Sequence, residues 1–447
     1  MLKIILIATA VFAAIESLPT ELPEPGDLAL YLSEEEFEDY LDKWIEFEQT
    51  KWMNESAINT GTRSGCSLLV NGDFAQPSPV FIRRNTNTFF YPYDNSGIVR
   101  LNTGEQVIVG CPSRTINHPN AIISTATAII QCVSGTQISA AGFLNGNGAF
   151  NQLTCDSHAF HEAQETRERC YNNNVVIRVG FTVNNVFYTT YNSCFDKNRF
   201  EVLYTWAPMD ASYAVHQTGV DRPSWLAGSF FPGVGINSLY TQVQQKLAIA
   251  RVVGDTLADQ YVTSSQFLAR GHLVAKSDQV FAPGQRSTFY FINAVPQWQP
   301  FNAGNWNWLE QNLRARIGQA GYNTVIYTGS FGVTQLRNEN GHFVDIYLDN
   351  TNGNQRLPIP LYMYKVVYDA SRRLGTAFIS INNPHYTASE VRALQFCTDR
   401  CRNNNDFSWL QWQPDRIDIG YSFCCTVDDF RRRVPHLPSF TVNGLLT

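Results

Sequence analysis

The chain has 447 residues, 44% of them hydrophobic, with 39 acidic and 33 basic side chains and a formal charge of −6. Beyond its first 17 residues no stretch is apolar for long enough to span a bilayer as a helix, and internal repeats and low-complexity tracts are absent, so a soluble, non-repeat protein is expected. The charge is unevenly placed: 13 acidic against 4 basic residues precede Ser64, leaving 26 acidic and 29 basic after it, so the main body is formally near +3 and the overall acidity says nothing about its partner.

Residues 1–17, MLKIILIATAVFAAIES, combine an early lysine, an apolar run too short for a comfortable membrane span, and small residues, the layout of a cleaved secretory signal. Residues 18–63 form an acidic segment. Ser33-Glu-Glu-Glu36 has the capping-box pattern, and Phe37, Tyr40, Leu41, Trp44, Ile45 and Phe47 recur at roughly helical spacing. We read this as an acidic propeptide whose amphipathic helix lies over a basic cleft in imitation of a polyanion; the plainer alternative is a solvated tail. Arg63, in Gly-Thr-Arg-Ser-Gly, is the expected cleavage point for a trypsin-like processing protease. The glycosylation sequon Asn54-Glu-Ser56 falls in the segment expected to leave.

All ten cysteines follow this segment. An even number behind a secretory signal points to disulfides; the alternative of zinc fails because Cys397-x-x-x-Cys401 and Cys424-Cys425 lack the regular paired spacing. The spacing leaves their connectivity open. Short β-branched runs at Val80–Ile82, Glu105–Val109 and Ala126–Val133, punctuated by Gly, Pro and Asn, predict a β-rich domain over 64–168. Over 169–447 the patterns mix. Strands are predicted at Val175–Phe181, Val186–Tyr191, Thr324–Tyr327, Tyr362–Tyr368 and Gly375–Ser380, and helices at Leu239–Val253 and Trp306–Ile317, which predicts an α+β domain.

Three pieces of that domain carry chemistry: Leu268-Ala-Arg-Gly-His-Leu273, Phe291-Ile-Asn-Ala-Val-Pro-Gln297 and Phe301-Asn-Ala-Gly-Asn-Trp-Asn-Trp-Leu-Glu310. Asn302 stands just before a predicted helix, and Glu310, two turns on, returns to roughly the same face. A strand carrying His272 against that face brings imidazole, amide oxygen and carboxylate together.

In order and spacing these pieces resemble the DNA/RNA non-specific endonucleases, the ββα-metal nucleases, over a core of about forty residues, with weaker similarity at Tyr213–His216 and Arg222-Pro-Ser-Trp225. The precursor plan with its extra β domain looks most like that of secreted arthropod gut nucleases that degrade double-stranded RNA. The resemblance implies an α+β fold, a ββα-metal nuclease domain preceded by a disulfide-rich, mostly β domain. It implies His272 as general base, a role for which an ordinary pKa of about 6.5 suits histidine. Asn302 is then the ligand of a magnesium ion, for which manganese can substitute and which keeps most of its waters. Glu310 holds a metal-bound water, Asn293 orients the histidine, Gln297 supports metal or substrate, and Arg270 and Arg222 clamp phosphate.

Because water attacks rather than a ribose 2′-hydroxyl, the implied substrates are double-stranded RNA, single-stranded RNA and DNA, cut to 5′-phosphate ends. The implied setting is extracellular, such as a gut lumen, in digestion or antiviral defence, with no membrane partner. Ala269 stands where many members of the family carry Asp, so the histidine strand lacks that acidic support. Trp298, Trp306 and Trp308 are candidates for stacking bases or for packing the helix, and Arg431-Arg-Arg433 for touching phosphates. A rival of another class, a catalytically silent nucleic-acid-binding protein on the same fold, would have lost His272, Asn302 or Glu310, and all three are present.

Overall fold

The computed structural model describes residues 65–447 together with Glu36, Asp39, Tyr40, Lys43, Trp44 and Phe47. The expected signal, Ser33, the Asn54 sequon and Arg63 lie outside the described residues.

The first region builds a six-stranded antiparallel sheet from β1 (Val80–Arg83), β2 (Thr88–Phe89), β3 (Gln106–Gly110), β4 (Thr127–Ser134), β5 (Gln137–Ser139) and β6 (Asn147–Ala149), in the order β2-β1-β3-β4-β5-β6. Its strands are half-buried: in β3 Val107 and Val109 point inward and Gln106 and Ile108 do not, the period of two that the sequence shows. Disulfides Cys66–Cys132 and Cys111–Cys155 close this region.

The second region is an eight-stranded antiparallel sheet and two long helices. Its strands are β7 (Glu162–Arg169), β8 (Val175–Val183), β9 (Val186–Asp196), β10 (Glu201–Met209), β13 (Thr324–Val333), β14 (Pro360–Asp369), β15 (Leu374–Ile381) and β16 (Ser422–Thr426), in that spatial order. Between β10 and β13 the chain forms α1 (Gln242–Val253), a separate hairpin of β11 (Leu268–His272) and β12 (Ala294–Trp298), and α2 (Asn307–Ala320). The central strands β14 and β15 are buried nearly end to end because both faces of the sheet are covered. Tyr364, Val366, Ile379 and Phe423 pack on Phe430 on one face. Met363, Val367 and Phe378 join the core of Trp306, Leu309, Leu313 and Ile317 on the other, so the apolar stripe of α2 lies on the sheet.

Three more disulfides serve this sheet. Cys170–Cys194 ties the end of β7 to β9, and Cys397–Cys425 and Cys401–Cys424 fasten the 397–401 loop to β16. Asp399, Cys401 and Cys424 come close enough to suggest a metal site, but both sulfurs are in the disulfide and cannot ligate as thiolates.

The expected boundary at 168/169 falls within β7, and one core runs across it. Phe74 lies 4.4 Å from Phe281 between ring centroids. Gly110 closes on Val183 so tightly that an added Cβ would meet Val183 Cγ1 at 2.8 Å. Among the described residues no helix is long and apolar enough to cross a membrane.

Candidate active site

The β11–β12 hairpin sets Ala269 opposite Gln297, Gly271 opposite Val295 and His272 opposite Ala294. Strand alternation therefore puts Arg270 and His272 on one face and Ala269, Gly271 and Gln297 on the other. On this second face Gln297 lies over Gly271: a Cβ at position 271 would stand 2.2 Å from Gln297 Oε1 and 2.6 Å from its Cβ, so only glycine fits between the arginine and the histidine. Gln297 is fully buried and neither amide atom has a hydrogen-bond partner. Ala269, its cross-strand neighbour, is also fully buried.

On the first face the His272 ring packs against an aromatic pair, Trp225 at 4.5 Å and Phe289 at 4.8 Å, which themselves touch at 5.1 Å. Trp225 is positioned by its neighbour: Leu226 N–H donates to Phe289 O (2.9 Å), and Phe291 N–H donates to Leu226 O (3.0 Å). Arg222 joins the same cluster, its guanidinium 5.8 Å from the Phe289 ring centroid. Arg270 donates through Nη2 to Asn237 Oδ1 (2.9 Å) and lies 5.3 Å from the Tyr240 ring. Asn293 is fully buried, accepts from Val274 N–H and donates to Val274 O and Thr288 O, each at 2.9 Å. These bonds shape the backbone just past His272; none of them goes to the imidazole.

The chain approaches α2 through a helical turn at Gln299–Phe301 and a π-type segment at Asn302–Trp306. The break comes at Gly304, with φ −92° and ψ −119°, where an added Cβ would lie 2.5 Å from Ile419 Cβ and 3.0 Å from Ile419 O. Glycine there admits the Ile419 loop, which accepts a bond from Asn305 N–H at 3.1 Å. Asn302, half-buried ahead of the break, donates Nδ2 to Gln299 Oε1 (3.4 Å), which leaves its carbonyl oxygen as the atom for a cation.

Glu310 follows on α2, its side chain 14% exposed. Burial pushes its carboxyl up to about 7, against the pull of Lys365; Asp278 adds to the rise and Arg314 opposes it. Lys365 Nζ lies 3.5 Å from Glu310 Oε1, an oxygen without a hydrogen-bond partner. The same ammonium donates to Leu273 O and Thr328 Oγ1, both at 3.1 Å, and lies 5.2 Å from the Trp306 ring. Leu273 follows His272, so the histidine strand and the carboxylate helix meet on one lysine. Arg314, one turn beyond Glu310, is paired with Asp278 at 3.0 Å.

Hairpin and helix thus bring His272, Arg270, Arg222 and Asn293 into one neighbourhood and join it to Glu310 through Lys365, while Gln297 occupies the reverse face of the hairpin. Trp225, Phe289 and Lys365 extend the site beyond the residues expected from sequence. The signal for Lys365 was a lone charge inside the apolar run Tyr362–Tyr368. Trp298 and Trp306 are fully buried packing residues. Arg431 donates to Phe440 O and Pro438 O, and Arg432 pairs with Asp429, on a helix against the opposite face of the sheet from α2. The oxygens of Asn302 and Glu310 are hard ligands, and a buried carboxylate oxygen without a donor fits a divalent cation and its waters.

The sequence profile of the DNA/RNA non-specific endonuclease family matches residues 172–430, more than half of the chain. A salivary endonuclease of Lutzomyia longipalpis is 25% identical over 363 residues, covering 80% of this chain and 80% of its own. The salivary protein Tsal1 of Glossina morsitans morsitans is 27% identical over 317 residues, 67% of this chain and 74% of its own. A chain from the crystal structure of an EndoG/EndoGI complex superposes on 44% of this chain and 74% of its own, with a TM-score of 0.30 and 21% identity.

Proposed function

The chain belongs to the DNA/RNA non-specific endonuclease family and is a metal-dependent endonuclease; from this premise we propose that it hydrolyses double-stranded RNA by preference, and single-stranded RNA and DNA as well, with magnesium and with His272 as general base. The observation that carries the reading is the His272 ring packed by Trp225 and Phe289 on the same hairpin face as Arg270, with Glu310 tied to the next residue through Lys365. The preference for double-stranded RNA rests on the resemblance in precursor layout alone.

In this mechanism His272 takes the proton from a water molecule as its oxygen attacks phosphorus. Arg270 and Arg222 hold the phosphate by charge-assisted hydrogen bonds. The oxygen of Asn302 and, through a water, the carboxylate of Glu310 would hold the ion. When bound, magnesium supplies positive charge to the phosphorus oxygens and the leaving 3′ oxygen. The P–O3′ bond breaks, leaving a 5′-phosphate and a 3′-hydroxyl, and no 2′-hydroxyl takes part, so both RNA and DNA are substrates.

The protein acts outside the cell, in a digestive fluid such as the gut lumen, on dietary or viral nucleic acid. Five disulfides suit an oxidising compartment, and two of the relatives are named for saliva. It is made as a precursor cleaved near Arg63 by a trypsin-like protease. In support, Tyr40 and Trp44 of the acidic segment are buried, and Trp44 meets Trp308 of α2 edge-on at 5.6 Å, two residues from Glu310.

The test incubates the processed chain with double-stranded RNA and plasmid DNA, with magnesium or with chelator, beside His272→Ala. Magnesium-dependent cutting of both is expected, falling about 10²- to 10⁴-fold in the variant. Cutting of RNA alone, or cutting that survives chelator, overturns the mechanism. Binding without cutting would make this a silent nucleic-acid-binding protein.

A further inference from the structure

We infer that Lys365 is a positioning residue of the nuclease reaction, which holds the Glu310 carboxylate and the strand end that carries His272 in fixed relation. The inference rests on the reading of Glu310 and His272 given above.

Lys365 sits in the middle of β14, a central strand with both faces covered, and its side chain is 2% exposed. Lysine is among the residues least often fully buried, and a buried ammonium without partners is strongly destabilising. A core position in a central strand with no task beyond packing would be served as well or better by an apolar residue of similar size. The ammonium faces three oxygens: it donates to Leu273 O and Thr328 Oγ1 and forms an ion pair with Glu310 Oε1 at 3.5 Å. Two of the three belong to the segments that carry the reaction, and the third is on the neighbouring strand β13. The Trp306 ring closes the remaining side.

Glu310 faces Lys365, Asp278 and Arg314 as its charged neighbours. Arg314 is already engaged by Asp278 and Ser277, with bonds of 3.0 and 2.7 Å. Lys365 is therefore the cation left to pair with Glu310 and to hold it turned toward the end of β11.

A double-mutant cycle tests this with two readouts. The first is thermal melting without metal or substrate. Lys365→Met and Glu310→Gln each leave one partner changed, and the double variant is expected to melt above Lys365→Met alone, because it no longer buries a carboxylate without its cation. The second is kcat on plasmid DNA with magnesium. Lys365→Met is expected to lower kcat about tenfold or more with KM within about twofold, and to cause a clearly smaller loss in the Glu310→Gln background, where only the hold on the His272 strand remains to be lost. Fully multiplying losses in the double variant would overturn the inference and make Lys365 a packing residue. Thr328→Val covers the case in which Lys365→Met does not fold: it removes one hold on the ammonium and should lower kcat more in wild type than beside Glu310→Gln. Equal losses from Thr328→Val in both backgrounds, or no loss in either, would likewise overturn it. Failure of Glu310→Gln itself to reduce kcat would count against the role of Glu310, and that result is distinguishable from additivity.

Discussion

The imidazole of His272 rests on an aromatic pair, Trp225 and Phe289, which pack on each other as well as on it. Trp225→Ala is expected to lower kcat about tenfold through misplacement of the base, while KM and melting temperature stay close to wild type. Steady-state kinetics on a defined duplex checks this; a rise in KM alone would mean that Trp225 touches substrate instead. Titration gives a second expectation. In the proposed mechanism Glu310, raised to about 7 by burial, must be a carboxylate to hold its water. That requirement makes the rate rise with pH through neutrality. The acid limb of kcat against pH near 7 should be lost or displaced in Glu310→Gln. Arg270, His272, Asn302 and Glu310 were visible as candidates because their types and spacing fall within one stretch of sequence. Phe289 and Lys365 were not, since their parts depend on which distant segments the fold brings to the imidazole and the carboxylate.

At the scale of elements, the hairpin and α2 are held by two glycines whose neighbours leave no room for a methyl group. Gly304→Ala must displace Ile419 or the π-type segment, and it is expected to cost about 1–3 kcal/mol. Because Asn302 lies in that segment, the variant should also bind magnesium more weakly, measured by calorimetric titration beside a thermal melt. A melt lowered with unchanged magnesium affinity would separate the break from the metal site. The sequence predicted helix from Trp306, and α2 starts at Asn307, but the irregular turn before it was not legible. The break is made by contact with Ile419, far along the chain, which the local sequence does not show. Strands β8 and β14 were legible as apolar runs because both are covered on two faces.

For the molecule as a whole, the core that crosses the 168/169 junction argues that neither half folds alone. A fragment of residues 169–447 would expose Phe281 and Val183 and is expected to give no cooperative thermal transition by circular dichroism, whereas residues 64–447 should melt as one unit. Acid should weaken that unit. Burial lowers His161, His385 and His436 to about 4 each, so they stay neutral in the fold but take up protons near 6.5 when unfolded. Their contribution is full above about 6.5 and is lost as pH falls toward 4, so melting temperature should drop across that interval. Composition distinguishes a β-rich stretch from a mixed one, but it carries no information about how two sheets share one interior.

Strand β7 stands at the rim of the large sheet, yet the chain reaches it only after completing the first sheet, and a disulfide just past its end binds that rim to β9. Recombination at the 168/169 junction would sever that border strand from the body of the sheet, although Cys170 and Cys194 would stay on one side. Exchange of the first part alone would disturb both that rim and the shared interior, and substitutions on either side of the Phe74–Phe281 contact should arise in compensating pairs over evolutionary time.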